Sequence, residues 1–148
     1  MKLAEGMTAQ RTNYGTTYVY KNVRITKSYN GYHFREEVII METGRAVVKD
    51  SYTQYQLKDA PATINRMLDT GSYYVDSLGI VRLTESRKRE IREARIEIYE
   101  KEVTELHDKV EMYLRHKEYE KAQKYLNGLI EKQQRLDTYK SNLEEGNK

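Results

Sequence analysis

The apolar residues of this chain change their rhythm once, near residue 84, and that change constrains the fold more than any other feature of the sequence. Before it they alternate with polar residues or gather in short runs broken by glycine, asparagine and aspartate. After it they recur at helical spacing, with no proline and with Gly128 as the one glycine ahead of the tail. A period of two belongs to a strand with one buried face, and a period near 3.6 to a helix with an apolar stripe. The sequence therefore predicts an α+β fold. A small antiparallel β-sheet with one short helix near 60–69 is expected over residues 1–83, and a charged antiparallel helical hairpin over 84–148, the two forming one structural unit.

Aromatic residues follow the same division. Nine of the fourteen tyrosines and the single phenylalanine, Phe34, precede residue 84, and tyrosine among Val, Ile and Thr favours strands. Residues 1–15 show neither period and are expected as a loose lead-in. Strands are predicted at Thr16 to Tyr20 and Val23 to Lys27. Asn30-Gly31 favours a type I′ turn, which would pair the second of these with residues 32–42. In that returning strand, Tyr32 and Phe34 share one face and His33 and Arg35 the other, while Val38-Ile39-Ile40-Met41 suggests burial from both sides. Arg45 to Lys49 supplies a further strand after Thr43-Gly44. Asp59-Ala60-Pro61 reads as a helix entry, with Asp59 as the cap, Ile64, Met67 and Leu68 as the apolar face and Gly71 as the stop. Tyr73 to Val75 and Ile80 to Leu83 read as a last hairpin, and Thr84 and Ser86 as caps for the next helix.

In the second half, Ile96, Tyr99, Val103, Leu106, Val110 and Tyr113 recur at spacings of three and four, which places them on one seam. Tyr119, Ala122, Leu126, Leu129, Leu136 and Leu143 mark a second. The register breaks between, so a turn near 115–118 is expected to bring the seams together. Tyr99, Leu106, Tyr113, Leu126 and Leu129 are the expected interface residues, with His107 at its edge. Ile91 and Ile98 would be left for a second copy, hence an expected homo-oligomer.

Charge narrows the function classes. The chain has 26 Lys/Arg against 23 Asp/Glu, a net charge of +3, and the residues are interleaved, which argues against tracking an extended nucleic acid. With no cysteine, and with His33, His107 and His116 scattered, neither a metal centre nor thiol chemistry is expected, and no cofactor is implied. The sequence contains no phosphate loop or nucleophile elbow, so an enzyme is not expected. Its first residues lack the apolar run of a signal peptide and no stretch nears the roughly 18 apolar residues of a membrane span; the expected location is cytoplasmic.

One cluster carries chemistry. Arg82, Arg87, Lys88, Arg92 and Arg95 gather about a helix N-terminus, where guanidinium forks and free amides together suit phosphate, and Tyr73 and Tyr74 stand nearby in sequence to stack on a base. The commoner meaning of such a run is a solvated face, since Glu85, Glu90 and Glu93 are interleaved with it.

The segment from Tyr18-Val19-Tyr20 through Tyr32-His33-Phe34, the short helix at Pro61 and the two long helices after Leu83 together resemble phage-encoded anti-Thoeris sponge proteins. That resemblance lies in element order, and no site residue is carried over through it. It implies a phage or mobile-element anti-defence factor, acting in a host cytoplasm, that sequesters a small nucleotide signal of the cyclic ADP-ribose type without cleaving it. The alternative expectation is a protein-interaction module, similar to small anti-CRISPR inhibitors, whose helical hairpin docks on a host or partner protein.

Overall fold

The computed structural model describes residues 3–29, 31–40 and 44–146, with side chains described for all of these except 51–54, 145 and 146. The fold is α+β. Two compact units divide it: Met1–Ile39 with Ala46–Lys88, and Ile40–Arg45 with Arg89–Lys148.

The first unit contains β1 (Met7–Thr12), β2 (Gly15–Tyr20), β3 (Val23–Ser28), β4 (Gly31–Ile39), β5 (Ala46–Gln54), a 3₁₀ turn (Leu57–Asp59), α1 (Ala60–Asp69), β6 (Tyr73–Val75) and β7 (Val81–Leu83). The strands form one sheet in the order β1-β2-β3-β4-β7-β6, with β5 also on β4. All pairings are antiparallel except β4 with β7, which is parallel at Glu36 and Val81. Alternation explains the core. Val23 and Ile25 of β3 and Phe34 of β4 turn inward with Tyr20 and Val81, and α1 lays Ile64 and Met67 against them. Each such side chain, once buried, contributes about 1.5–3 kcal/mol. Tyr20 sends its hydroxyl out of this core to donate to Asn65 Oδ1 at 3.0 Å.

Several expectations are corrected here. Residues 7–12 are not a loose lead-in but an edge strand registered on β2 from Met7 with Tyr20 to Thr12 with Gly15. Only Met7 in it is buried, so there is no alternation for the sequence to display. Positive φ at both central residues, as a type I′ turn requires, occurs at Lys21 (48°) and Asn22 (69°), between β2 and β3. Gly31 instead pairs with Ser28 at the end of the next hairpin, and Asn30 lies outside the described residues. In β4 the buried stretch is not 38–41: Phe34, Glu36 and Glu37 are buried, Val38 and Ile39 only half so, and Ile40 is exposed; Met41 lies outside the described residues. Asp59 has helical backbone angles and makes no capping bond, because the 3₁₀ turn leads straight into α1. Gly71 closes that helix at φ 73°, as expected.

Two helices dominate the second unit: α2 (Glu85–Arg115), whose opening turn through Lys88 counts with the first unit, and α3 (Tyr119–Gly146). They pack antiparallel. Tyr113 stacks on Tyr125 with ring centroids 5.3 Å apart, Tyr99 meets Tyr139 edge-on at 5.9 Å, and Lys140 Nζ reaches Glu100 Oε1 at 2.8 Å. The turn at 115–118 is a Schellman motif. Lys117 takes the left-handed conformation (φ 59°), its amide donates to Leu114 O at 3.1 Å, and the Glu118 amide donates to Tyr113 O at 2.9 Å. On α3 the seam departs from expectation at two places: Tyr119 is 63% exposed, whereas Tyr139 is fully buried. Among the described residues, no helix is long and apolar enough to cross a membrane.

Candidate functional site

Two members of the basic cluster expected from the sequence, Arg82 and Lys88, are paired with carboxylates within the fold. In the first unit, Lys88 Nζ lies 3.0 Å from Glu37 Oε1, with Arg82 Nη1 4.0 Å from the same oxygen. Glu37 Oε2 takes the Leu83 amide at 3.2 Å. Arg82 Nε also donates to Asp76 Oδ2 at 2.6 Å, while Asp76 Oδ1 accepts the amides of Leu78 (2.8 Å) and Ile80 (3.0 Å). Burial, the largest single influence, pushes the Asp76 carboxyl up; the Ile80 amide, Arg82 and the Leu78 amide together outweigh it and hold the group below its ordinary value. Lys88 behaves in the mirror sense: burial pulls it down, and Glu37 with Glu85 overcomes this and raises it.

In the second unit, Arg92 Nη2 donates to the Gly44 carbonyl at 2.6 Å and Arg95 lies over the Tyr99 ring at 5.7 Å. Arg87 is exposed, and its amide donates to Thr84 Oγ1 at 3.3 Å, which confirms Thr84 as the helix cap. Tyr73 is half-buried against the core and Tyr74 is exposed. The structure thus brings Arg82 and Lys88 together around Glu37, 46 residues upstream of Leu83. Tyr99, Leu106, Tyr113, Leu126 and Leu129 are all half-buried. His107 is exposed on α2, 3.8 Å from Glu111 Oε1 and 4.0 Å from Asp108 Oδ1.

A different group of cations lines a cavity. β3 pairs with β2 through residues 23–25 and with β4 only through 26–28. Beyond Thr26 and His33 the two strands part, since β4 takes β7 as its neighbour at Glu36 and the Arg24 amide donates instead to Gly79 O at 3.1 Å. Where they separate there is a cavity of about 380 Å³, lined by Arg24, Thr26, His33 and Arg35 with Leu78, Gly79 and Ile80. Its size falls within the range of small-molecule sites, about 300–1,000 Å³. Gly79 is required there. Its φ is 79°, and a Cβ would collide with the Arg24 side chain, which packs across the glycine.

The polar groups of the cavity are linked. Thr26 Oγ1 and His33 Nε2 share a hydrogen bond of 3.1 Å, and Asp50 of β5 places Oδ2 3.5 Å from His33 Nε2 and Oδ1 3.5 Å from Arg35 Nε. A bulge between Phe34 and Arg35 sets Arg35 opposite Asp50. Arg24 makes no ion pair among the described residues. Thr26 also borders a second recess, of about 630 Å³, where β2 and β3 part; Tyr14, Tyr18, Tyr32, Lys27 and Thr16 line it. Tyr18 and Tyr32 meet edge-on there at 5.7 Å. Thr26 lines both recesses, while strand alternation sets Tyr18 and Tyr32 on the core face of the sheet and Arg24, His33 and Arg35 on the opposite face. The outward placement of His33 and Arg35 was visible in the alternation of β4; their meeting with Arg24 and Asp50 was not.

None of the family models, curated proteins or solved structures compared with this chain gives a match.

Proposed function

We propose that this protein binds a small phosphate-bearing ligand of the nucleotide class and holds it without converting it. The observation that carries the reading is the cavity in the first unit with guanidinium and imidazole groups around it; a tyrosine- and threonine-lined recess shares Thr26 with it, its tyrosines standing on the core face of the sheet. Arginine presents a planar fork of donors that matches phosphate oxygens, and tyrosine offers a face or an edge to a base. Guanidinium groups hold an anion through a fork of N–H donors, which suits a lining built on Arg24 and Arg35 to retention. In biological terms the reading is a mobile-element anti-defence factor that sequesters a nucleotide signal, the role implied by the resemblance in element order to anti-Thoeris sponges. The phosphate end is assigned to Arg24, Arg35 and His33, because Arg24 has no acidic partner among the described residues and Asp50, half-exposed, stands 3.5 Å from the other two, whereas Arg82 and Lys88 are held at 2.6 and 3.0 Å by the more buried Asp76 and Glu37.

The test is calorimetric titration with a nucleotide panel, followed by chromatography of the ligand recovered after denaturing the protein. Binding that weakens at least tenfold in Arg24→Ala and Arg35→Ala, with the nucleotide recovered intact, is the expected result. Recovery of a product, or affinity unchanged in both variants, would overturn it.

A second reading has one observation in its favour. Ile98 (47%), Leu114 (49%) and Ile130 (49%) are exposed on α2 and α3, which suits a partner protein or a second copy on the helix pair. Sedimentation of the wild type beside Ile98→Asp would separate the two readings: loss of an assembly with nucleotide binding intact would assign association to the helices and ligand to the sheet.

A further inference from the structure

Resting on the reading above, we propose that Asp50 is an internal counter-ion that a ligand must displace, so that the cavity selects anchoring groups with two negative charges, a phosphate monoester or a pyrophosphate. The geometry is specific. Asp50 is not among the residues lining the cavity, yet its two oxygens reach two that are, His33 Nε2 and Arg35 Nε, each at 3.5 Å. Both contacts exceed the 2.7–2.9 Å of a tight charge-assisted hydrogen bond. The Asp50 side chain is 47% exposed, so it can turn to water at little cost. Arg24 lines the same cavity with no acidic partner among the described residues.

Charge arithmetic then decides what binds. An incoming monoanion replaces one carboxylate with another single charge and gains only the attraction of Arg24. A dianion gains the attraction of Arg24 twice over and, beyond what Asp50 supplied, a further unit of charge against Arg35. One unit of charge about 6 Å away, at an effective dielectric constant of about 40, changes affinity by about tenfold. Asp50 thus holds Arg35 and His33 when the cavity is empty, lowers affinity for every anion, and leaves a monoanion with little net gain.

The experiment is titration of the full chain and its Asp50→Asn variant, which keeps the side-chain shape, with adenosine monophosphate (a dianion), its 3′,5′-cyclic form (a monoanion) and inorganic pyrophosphate. The wild type is expected to bind the monophosphate and pyrophosphate at least about tenfold more tightly than the cyclic form. Asp50→Asn is expected to tighten all three, the monophosphate by about tenfold or more and the cyclic form by less. A variant that binds the monophosphate more weakly, or equally well, would overturn the counter-ion role, and equal affinity of the wild type for the two nucleotides would overturn the charge selection. If wild type and variant bind none of the three, the cavity reading itself falls and this inference with it.

Discussion

Lys88 Nζ sits 3.0 Å from Glu37 Oε1, so a residue at the start of a long helix neutralises a carboxylate buried near the end of β4. Glu37 is 6% exposed, and a charge so placed is tolerated only with its partners in position. Glu37→Gln is expected to lower stability by about 2–3 kcal/mol in urea denaturation. A double-mutant cycle with Lys88→Met should give a coupling of about 1–3 kcal/mol; a value near zero would show that the contact contributes nothing. Lys88 is held above the ordinary lysine value of 10.5, so its contribution is fully present below that pH and is lost as pH rises through the folded-state value.

Asp76 gives the opposite pH signature. Its carboxyl takes two backbone amides and Arg82 Nε and is held below the ordinary 3.8. A group lowered by folding contributes stability above its unfolded value and loses it as pH falls through the folded one. Asp76→Asn is therefore expected to cost about 1–3 kcal/mol at neutral pH, and the gap to the wild type should shrink as the solution is taken below pH 3.8. Thermal unfolding of both proteins over an acid series checks this; a gap that stays constant with pH would contradict it.

The helices carry two backbone positions that can be improved. Gly128 lies within α3 with open space where a Cβ would sit, so it marks no close crossing, and Gly128→Ala should add about 0.5–1 kcal/mol. Lys117 occupies the left-handed position of the Schellman turn (φ 59°), where glycine avoids a Cβ penalty of about 1 kcal/mol. Lys117→Gly should thus be neutral to stabilising. A loss of more than about 1 kcal/mol in Lys117→Gly, by chemical denaturation, would mean that the lysine side chain is needed at the turn.

What was legible in the sequence was whatever is periodic. The change of rhythm at residue 84 located the handover from sheet to helices, and alternation in β4 placed His33 and Arg35 outward with Phe34 inward. Features set by distant partners were hidden. Arg82 and Lys88 look like free cations until Glu37 and Asp76 are seen beside them. The cavity depends on β3 changing neighbours at Thr26 and on Gly79 arriving against Arg24, which no local pattern records. Edge strand β1 shows no alternation because only Met7 is buried in it, and Tyr139 falls off a three-and-four spacing in phase with Tyr119, which turns to solvent, since that spacing reaches Lys140 instead.

The separation of β3 from β4 makes the cavity, and amide chemical-shift mapping with pyrophosphate probes it most directly. With the backbone assigned, the expected result is saturable shifts concentrated at Arg24, Thr26, His33, Arg35 and Gly79, and their loss in a variant carrying both Arg24→Ala and Arg35→Ala. Saturable shifts concentrated instead about Arg82, Lys88, Arg92 and Arg95, or no shifts at all, would contradict it.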